Sequence, residues 1–328
     1  MTPFISIIVP SFNDGATIER CVLSLQAQDW PNFEILAIDD GSTDDTLQKL
    51  EKLGQSVPRL RVLRLERRGG AARARNVGFR EARGEIVALI DGDMWAPPEW
   101  IPTIVAPLIA GAAEVTGGPD FVPPTAALVS RCIGYSMDSI LTNAGLRMGN
   151  SNLVKYLPST ANMAILKSCL RRTGEFDETF HDYGEDKEWL HRIRDDGARL
   201  LYLAGAPTWH ERRPDLALHF KKQVLSGRRR LDIFLKHPSS FDWPHFAPAG
   251  LVLFLTLAPL FPSSRFLWAL CVAVGSALVL LDAARGALRL RDWRAFPVLL
   301  LSSPCIPLGY GLGVLVRACT LLARKALL

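Results

Sequence analysis

Acidic side chains occur as close pairs at several places along the sequence, and such pairs can bind a metal ion or move a proton. Three pairs are candidates for this chemistry, namely Asp39-Asp40, Asp91-Gly92-Asp93 and Glu185-Asp186. Carboxylate oxygens suit hard cations such as Mg²⁺ and Mn²⁺, and a carboxylate can also take the proton of a hydroxyl group. The same residue types form turns and helix starts. The pairs alone therefore indicate acidic chemistry without assigning a reaction.

Four apolar segments predict strands that would hold two of these pairs at one edge of a sheet. The predicted strands are residues 5–9, 34–38, 61–65 and 85–90. The predicted helices are residues 17–28, a segment that begins near Thr46, and residues 71–81, 166–171 and 186–195. Alternating strands and helices predict a mostly parallel sheet, which binds ligands beyond the carboxyl ends of its strands. We therefore predict an α/β fold, with a loop near residues 119–124.

Charge is unevenly distributed along the 328 residues, whose formal net charge is +5. Residues 244–328 contain eight Lys or Arg and two acidic residues, so this part carries +6 and the rest of the chain about −1. No affinity for nucleic acid follows from such a distribution. Six scattered cysteines without a CxxC pair favour a reducing compartment. The sequence begins without a basic leader, so we expect the N-terminal domain on the cytoplasmic side.

Three uncharged apolar stretches predict a membrane region. They are residues 247–261, 266–281 and 296–316. The basic loop at residues 285–294 favours the cytoplasmic side. This preference is satisfied if the first two stretches form a hairpin that returns the chain to that side. The third stretch contains Pro304 and Pro307, and it either spans or re-enters the membrane. We expect the plasma (inner) membrane to be the location.

Residues 216–243 form a basic segment in which Leu231, Ile233 and Phe234 stand beside Arg228-Arg229-Arg230. This pattern is typical of a helix on an anionic lipid surface, and a solvated helix face is the alternative. The expected division of the chain is a catalytic domain at residues 1–215, an interfacial segment at 216–243, and a membrane region at 244–328.

Four motifs stand in the order and spacing of one known family. They are SIIVPSFNDGATIERCVLSLQAQDWPNFEILAIDDGSTDDT, ARNVGFREARGEIVALIDGD, ANMAI and GEFDETFHDYGEDKEWLHRIRDDG. Over residues 4–235 the chain resembles the inverting family 2 glycosyltransferases, in particular membrane-anchored bacterial members. The resemblance implies a GT-A fold and a metal-dependent hexosyl- or related transferase of glycan or polysaccharide synthesis.

The resemblance also implies where a nucleotide-sugar donor would bind. Asp40 would contact the nucleobase while Asp39 braces the loop. Asp93 would bind Mn²⁺ or Mg²⁺ with help from His210, and Asp91 would contact the ribose or reach the metal through water. The remaining expected donor contacts are Pro10, Ser11, Phe12, Arg75 and Asn76. A UDP-sugar is the favoured donor.

Glu185-Asp186 resembles the family element that supplies the general base, so Asp186 would take the acceptor proton and Glu185 would orient the acceptor or loop. Gln223, Arg228 and Arg229 resemble a donor-side element of membrane-associated members, but no Trp follows the arginines. This departs from the Gln-x-x-Arg-Trp signature of processive synthases and favours transfer of a single sugar. The expected acceptor is a lipid-linked or membrane-proximal glycan, with membrane lipids as further partners.

Other functions remain open at this point. A polyprenyl-phosphate monosaccharide synthase would need the general base less, because its acceptor is already ionised. A nucleotidyltransferase is disfavoured, since VPSFNDG after the first strand has no basic residue. A non-catalytic membrane scaffold need not keep Asp93 and Asp186. The residues do not indicate an oligomeric state.

Overall fold

A computed structural model describes residues 2–143, 158–180 and 183–326. The chain divides into two compact units, which are Met1–Pro123 with Tyr156–Glu211 and Pro124–Lys155 with Arg212–Leu328. We call the first the sheet unit and the second the helical unit. The division after Glu211 falls close to the expected boundary at residue 215. Residues 124–155 belong to the helical unit, which the sequence analysis did not anticipate.

The sheet unit is built around parallel strands. The strands are β1 (Ile5–Ser11), β2 (Phe33–Asp39), β3 (Leu60–Arg64), β4 (Ile86–Ile90), β5 (Met94–Trp95), β6 (Val115–Gly117), β7 (Asp120–Phe121), β8 (Asn162–Leu166), β9 (Leu200–Tyr202) and β10 (Thr208–His210). In the described residues, seven strands form one sheet in the order β3-β2-β1-β4-β8-β6-β9. The first four strands in this order are parallel, and β8 is antiparallel to both neighbours. The predicted α/β fold is confirmed.

Helices cover both faces of this sheet. The α-helices in the described part of the chain are α1 (Ile18–Gln26), α2 (Thr46–Ser56), α3 (Ala71–Glu81), α4 (Trp100–Ile109), α5 (Leu128–Asp138), α6 (Ile140–Asn143), α7 (Lys167–Thr173), α8 (Glu185–Asp195), α9 (Leu216–Lys236), α10 (Ala247–Leu257), α11 (Arg265–Leu290) and α12 (Ala295–Ala326). Ile7 of β1 packs into one core with α1, and Ile8 packs into the other with Phe79 and Trp189. Strands buried on both faces are mainly apolar, as β4 is throughout and β1 is except at Ser6 and Ser11.

A smaller sheet, in the order β5-β10-β7, lies beyond the end of β4. His210 pairs with Met94, and Thr208 pairs with Asp120. Residues 119–124 were predicted as a loop, and this prediction is wrong because Asp120 and Phe121 pair with β10. A two-residue strand has no readable periodicity, so the pairing could not be seen in the sequence.

The helical unit contains α5, α6 and α9 to α12. Among the described residues, three segments are long and apolar enough to cross a membrane, namely Trp243–Leu260, Pro262–Leu290 and Ala295–Arg324. They coincide with the three predicted apolar stretches. Cys132 and Tyr135 of α5 pack against alanines of α11 and against Ala295 and Leu299 of α12.

We expect Gly84→Ala to destabilise the sheet unit. A Cβ on Gly84 would lie 2.5 Å from the Ser6 nitrogen, 2.7 Å from the Phe4 oxygen and 2.8 Å from the Ile86 oxygen. Backbone atoms cannot rotate away, so the free energy of unfolding should fall by about 1–3 kcal/mol. Thermal unfolding of the full chain in detergent measures this loss.

Gly54→Ala is the matched control, because its new Cβ would meet only a Val62 methyl group at 3.7 Å. Gly54 lies inside α2, where Ala stabilises a helix by up to about 1 kcal/mol relative to Gly. Equal unfolding midpoints for the two variants would contradict the tight approach of β1 to Gly84.

Candidate active site

The ends of β1 and β2 place Ser11 and Asp39 side by side as register partners. Asp39 accepts a hydrogen bond from the Ser42 nitrogen through Oδ2, at 3.2 Å. Within the described part of the chain, Asp39 Oδ1 and Ser11 Oγ are buried without a hydrogen-bond partner. A buried unsatisfied oxygen costs about 1–3 kcal/mol. Asp39 Oδ1 is therefore an acceptor, and Ser11 Oγ a donor or acceptor, with hydrogen-bonding capacity left for a ligand.

Asp40 has a different environment. Its two carboxylate oxygens accept hydrogen bonds from the backbone nitrogens of Gly69 and Gly70, each at 2.7 Å. Burial raises the pKa of Asp40, while these two hydrogen bonds oppose that rise. Asp40 thus braces the loop that precedes α3. The sequence-based expectation was the reverse, with Asp39 as the brace and Asp40 as the ligand contact.

Pro10 and Phe12 flank Ser11. Pro10 lies inside β1, opposite Ile38 of β2. Phe12 lies beyond the strand, and the Arg68 guanidinium lies over its ring at 4.3 Å. Phe12 therefore presents an aromatic face, with a cation held against it, at the same edge as Ser11.

Arg75 of α3 joins two acidic elements that are far apart in the sequence. Its Nη2 donates to Asp91 Oδ1 at 2.9 Å, and its Nη1 donates to Glu185 Oε1 at 2.8 Å. The Arg75 side chain is only 5% exposed. Burial alone would lower the pKa of Arg75, but Asp91 and Glu185 raise it above its usual value. The guanidinium is therefore a fixed positive charge between the end of β4 and the start of α8.

Glu185 is held mainly by this contact. Burial raises the pKa of Glu185, the neighbouring Asp186 raises it further, and Arg75 opposes both effects. Gly184 precedes α8 in the left-handed region, at φ 90°, which favours glycine. The side chain of Asp186 is 25% exposed and lies 3.7 Å from Lys187 Nζ. Asp186 thus presents a carboxylate partly open to solvent in the first turn of α8.

Asn76 is buried and bonded within the protein. Its Nδ2 donates to the Phe176 oxygen and to Glu178, and its Oδ1 accepts from the Phe176 nitrogen. These bonds hold the segment that leads to α8. Adjacent residues of α3 therefore fix two parts of the same region, and the donor contact expected for Asn76 stays a prediction.

The turn after β4 brings carboxylates close together. A Cβ on Gly92 would lie 2.8 Å from both the Asp14 carboxylate and the Ser11 hydroxyl, so only glycine fits without displacement. Cys21 lies beneath this turn. Burial, followed by the charges of Asp93, Asp14 and Asp91, raises the pKa of the Cys21 thiol well above its usual value. The turn is therefore a site of negative potential.

Asp93, His210 and Asp120 form a chain of contacts across the smaller sheet. His210 Nε2 lies 3.1 Å from Asp93 Oδ2, and His210 Nδ1 lies 3.2 Å from Asp120 Oδ2. A carboxylate on one ring nitrogen orients the other nitrogen, as it does for many metal-binding histidines. Asp120 was missed from the sequence, because no motif links it to residues 27 and 90 positions away.

The chemistry of this donor set suits a hard divalent cation that receives further ligands from a substrate. Asp93 offers an oxygen and His210 a nitrogen, which Mn²⁺ and Mg²⁺ accept. In the ranges that the structure describes, no group of three or more His, Cys, Asp or Glu side chains is arranged to hold a metal ion alone. Substrate phosphates commonly complete such a site.

Gln223, Arg228 and Arg229 belong to the helical unit. Arg229 Nη1 lies 3.3 Å from Asp232 Oδ2. Gln223 and Arg228 lie where α9 contacts glycines of α12. Their expected contact with a donor stays a prediction.

Comparison with known proteins identifies relatives of the chain. The family model described as Glycosyl transferase family 2 matches residues 6–172, slightly more than half of the chain. Glycosyltransferase AglE of Haloferax volcanii is 25% identical over 236 residues, 71% of this chain and 75% of the relative. Glycosyltransferase GlyG of Streptococcus pneumoniae is 35% identical over 118 residues, 36% of this chain and 39% of that protein. The chain thus spans well under half of the streptococcal relative.

Solved structures share the fold. Mannosyltransferase PcManGT from Pyrobaculum calidifontis, in complex with GDP-Man and Mn²⁺, superposes with a TM-score of 0.61 at 21% identity, over 94% of this chain and 88% of that chain. Residues 1–349 of TarS from S. aureus, in complex with UDP, give a TM-score of 0.51 at 20% identity, over 97% and 92%. At these identities the likeness establishes the fold alone.

We expect Arg75→Met to lower the free energy of unfolding by about 3 kcal/mol or more at pH 7, because it leaves Glu185 charged, buried and unpaired. This loss of unfolding free energy, relative to the unsubstituted protein, should become smaller as the pH is lowered. Without Arg75 the folded-state pKa of Glu185 rises further above its usual 4.5. Protonation therefore removes the penalty as the pH falls through that raised pKa, and below about 4.5 the penalty is gone. Thermal unfolding of the full chain from pH 4.5 to 8 measures this.

Arg80→Met is the matched control. Arg80 pairs with Glu175, but the two side chains are 59% and 36% exposed, so its loss should cost under about 1 kcal/mol. Equal losses for the two variants, or a deficit that grows on acidification, would contradict the buried bridge.

Proposed function

Because this chain belongs to glycosyl transferase family 2, we propose that it transfers a single sugar from a nucleotide-diphosphate sugar, with inversion, to a hydroxyl group of a lipid-linked or membrane-proximal glycan acceptor. The Arg75 bridge is the observation that carries the proposal. It joins the acidic turn after β4 to Glu185, next to Asp186. A metal-binding carboxylate and a general base must act on one substrate. The bridge holds the turn after β4, which carries the first, close to the start of α8, which carries the second.

The proposed donor contact is Asp39 with Ser11, in place of Asp40. The buried Asp39 Oδ1 can accept from an imino N–H of a nucleobase, whereas Asp40 already accepts two backbone hydrogen bonds. Uracil and guanine both carry such an N–H. Structural neighbours hold UDP and GDP-Man, so we test the favoured UDP-sugar beside GDP-mannose.

Asp93 and His210 would hold Mn²⁺ or Mg²⁺ together with the donor diphosphate, and Asp120 would fix the His210 ring. When bound, the ion would neutralise the charge of the leaving diphosphate. Arg75 engages Asp91 through one oxygen. We assign the other oxygen of Asp91 to the donor ribose.

Asp186 is the proposed general base. A hydroxyl group is a poor nucleophile, and a carboxylate within hydrogen-bond reach takes its proton as the new glycosidic bond forms. The partial exposure of Asp186 suits contact with an acceptor. Glu185, bonded to Arg75, is unsuited to accept that proton and orients the first turn of α8. Attack from the side opposite the diphosphate inverts the anomeric carbon.

We place the protein at the plasma membrane with its sheet unit in the cytoplasm. The three apolar segments of the helical unit support membrane anchoring. Four arginines at residues 285–294, where α11 ends and α12 follows, support the orientation.

We expect the detergent-solubilised full chain, with membrane lipid extract, to release nucleoside diphosphate in a Mn²⁺-dependent manner from one member of a panel of UDP-sugars and GDP-mannose. Asp93→Ala and Asp186→Asn should each lower kcat by about 100-fold or more, since one loses a metal ligand and the other the base. Asp29→Asn, a change at an exposed acid outside the site, should leave the rate unchanged.

The variants separate the possible outcomes. Loss in Asp93→Ala with full activity in Asp186→Asn would indicate an acceptor that is already ionised, as in a polyprenyl-phosphate monosaccharide synthase. No release from any donor by folded protein would contradict the transferase and favour a membrane scaffold.

The two neighbouring carboxylates should respond differently to amide substitution. Asp39→Asn should weaken nucleoside diphosphate binding by about tenfold or more with little change in unfolding midpoint, because Oδ1 is proposed to serve the ligand. Asp40→Asn should lower the unfolding midpoint, because an amide cannot accept from both Gly69 and Gly70. Calorimetric binding and thermal unfolding of both variants measure this, and the reverse pattern would return the nucleobase contact to Asp40.

A further inference from the structure

Helix α12 differs from the other two apolar segments in how its surface is covered. Side chains of α11 between residues 265 and 281 are exposed almost all round. In α12, the large apolar side chains that are most exposed recur on one face. They are Leu301, Leu308, Leu312, Val316 and Leu322. A single apolar stripe with a covered opposite face is the pattern of a helix at a membrane surface.

The N-terminal half of α12 is bonded to α5. Ala295 and Leu299 pack against Cys132 and Tyr135. Further along, the Ser136 hydroxyl lies 2.7 Å from that of Ser302. This polar contact lies on the covered side of α12. The neighbouring residue, Ser303, makes a second polar contact there.

That next contact is Asp282, the acidic residue within α11. Its carboxylate accepts hydrogen bonds from Ser139 Oγ at 2.7 Å, Tyr135 Oη at 3.1 Å and Ser303 Oγ at 3.3 Å. An ionisable side chain inside lipid is costly unless it is paired. Hydroxyl groups of α5, of Ser139 directly after it and of α12 therefore satisfy this carboxylate and tie this level of α11 and α12 to α5.

The C-terminal half of α12 is bonded to α9. A Cβ on Gly313 would lie 2.1 Å from the Val224 oxygen, and a Cβ on Gly227 would lie 1.9 Å from the Tyr310 oxygen. The two helices therefore touch at their backbones. Arg317 Nε then donates to Asp232 Oδ1 at 2.6 Å. Charged residues occur along the whole of α9, from Lys221 through Arg228-Arg229-Arg230 to Lys236. A helix with this many charges cannot lie in hydrocarbon, and the half of α12 bonded to it cannot either.

Chain connections place α5 and α9 on one side of a bilayer. Residues 122–127 join β7 to α5, and residues 211–215 join β10 to α9. An extended chain covers at most about 3.6 Å per residue, so neither link exceeds roughly 22 Å. The hydrocarbon core is about 30 Å thick. Since β7 and β10 pair in one sheet, α5 and α9 must begin on the same side of the bilayer.

We propose that α12 lies along the membrane surface with its stripe against lipid acyl chains, and that the end of α12 stays on the same side as the sheet unit. Only α10 and α11 then enter the hydrocarbon, as a hairpin in which Trp268 Nε1 donates to the Leu255 oxygen across the turn. Trp243 and Trp293, both exposed, stand at its two ends, where interfacial tryptophans are enriched. The inference rests on the proposed membrane anchoring.

Protease protection of the full chain in sealed vesicles tests the topology. Epitopes are placed before Met1, after Leu328, or between Phe261 and Pro262 at the hairpin turn. We expect the two terminal epitopes to be cleaved from the same side. Terminal epitopes on opposite sides would overturn the inference while leaving membrane anchoring intact. Protein released from the membrane by alkaline wash would overturn the anchoring itself.

Two matched arginine substitutions test the depth of α12. Leu312 lies near the middle of α12 and is 38% exposed, and Leu270 of α11 is 48% exposed. We expect Leu270→Arg to reduce membrane-integrated protein roughly tenfold, because its charge enters hydrocarbon. Leu312→Arg should leave the amount unchanged, because a side chain at the surface can reach water. Equal losses from the two variants would show that α12 crosses the bilayer and would overturn the proposal.

An environment-sensitive amino acid at Leu301, Leu312 or Val316, quenched by lipids brominated at different depths, separates a surface helix from a re-entrant one. A surface helix predicts one depth for all three positions. A helix along the membrane normal predicts depths that differ by up to roughly 22 Å, at 1.5 Å per residue. That spread would overturn the proposal.

Discussion

A guanidinium group buried between two carboxylates holds the candidate active site together. Arg75 is 5% exposed and bonds Asp91 on one side and Glu185 on the other. A buried charge without partners would cost several kcal/mol, so folding must deliver both carboxylates to it at once. The turn after β4 and the start of α8 are thereby fixed to each other, although they lie more than 90 residues apart. Asn76, the next residue, holds the segment that leads to α8. The bridge therefore also sets the positions of the proposed substrate-binding groups on either side of Arg75.

Much of the fold could be predicted from the sequence, because the parallel strands carry strong local signals. β1, β2 and β4 are mainly apolar and end at Ser11, at Asp39 and just before Asp91. Their order along the chain predicts the sheet edge where those residues meet. Short strands could not be predicted. β7 exists only because distant residues pair with it. Nor does local pattern reveal that α5, between β7 and β8, packs with the apolar helices α11 and α12.

The sequence predicts which residues belong to the candidate site better than it predicts which residues they form hydrogen bonds with. The motifs indicated Asp39 and Asp40 together, but only hydrogen bonds distinguish the carboxylate that braces a loop from the one with a buried oxygen to offer. Asp120 lies outside every motif and reaches His210 only through the pairing of β7 with β10. Arg75 was expected as a donor contact, and Glu185 was not expected as its partner. Such assignments depend on tertiary contacts, which a single sequence does not contain.

A crystal structure of the protein with nucleoside diphosphate and Mn²⁺ tests the central claim most directly. We expect the Arg75 guanidinium to remain on Asp91 and Glu185, with Asp93 among the metal ligands and Asp39 bonded to the nucleobase. Arg75 would then act by positioning, in accord with its burial and its two carboxylate partners. A structure in which Arg75 leaves Glu185 to bind the diphosphate would contradict the account, because the bridge would then be a resting contact and not the constraint that assembles the site.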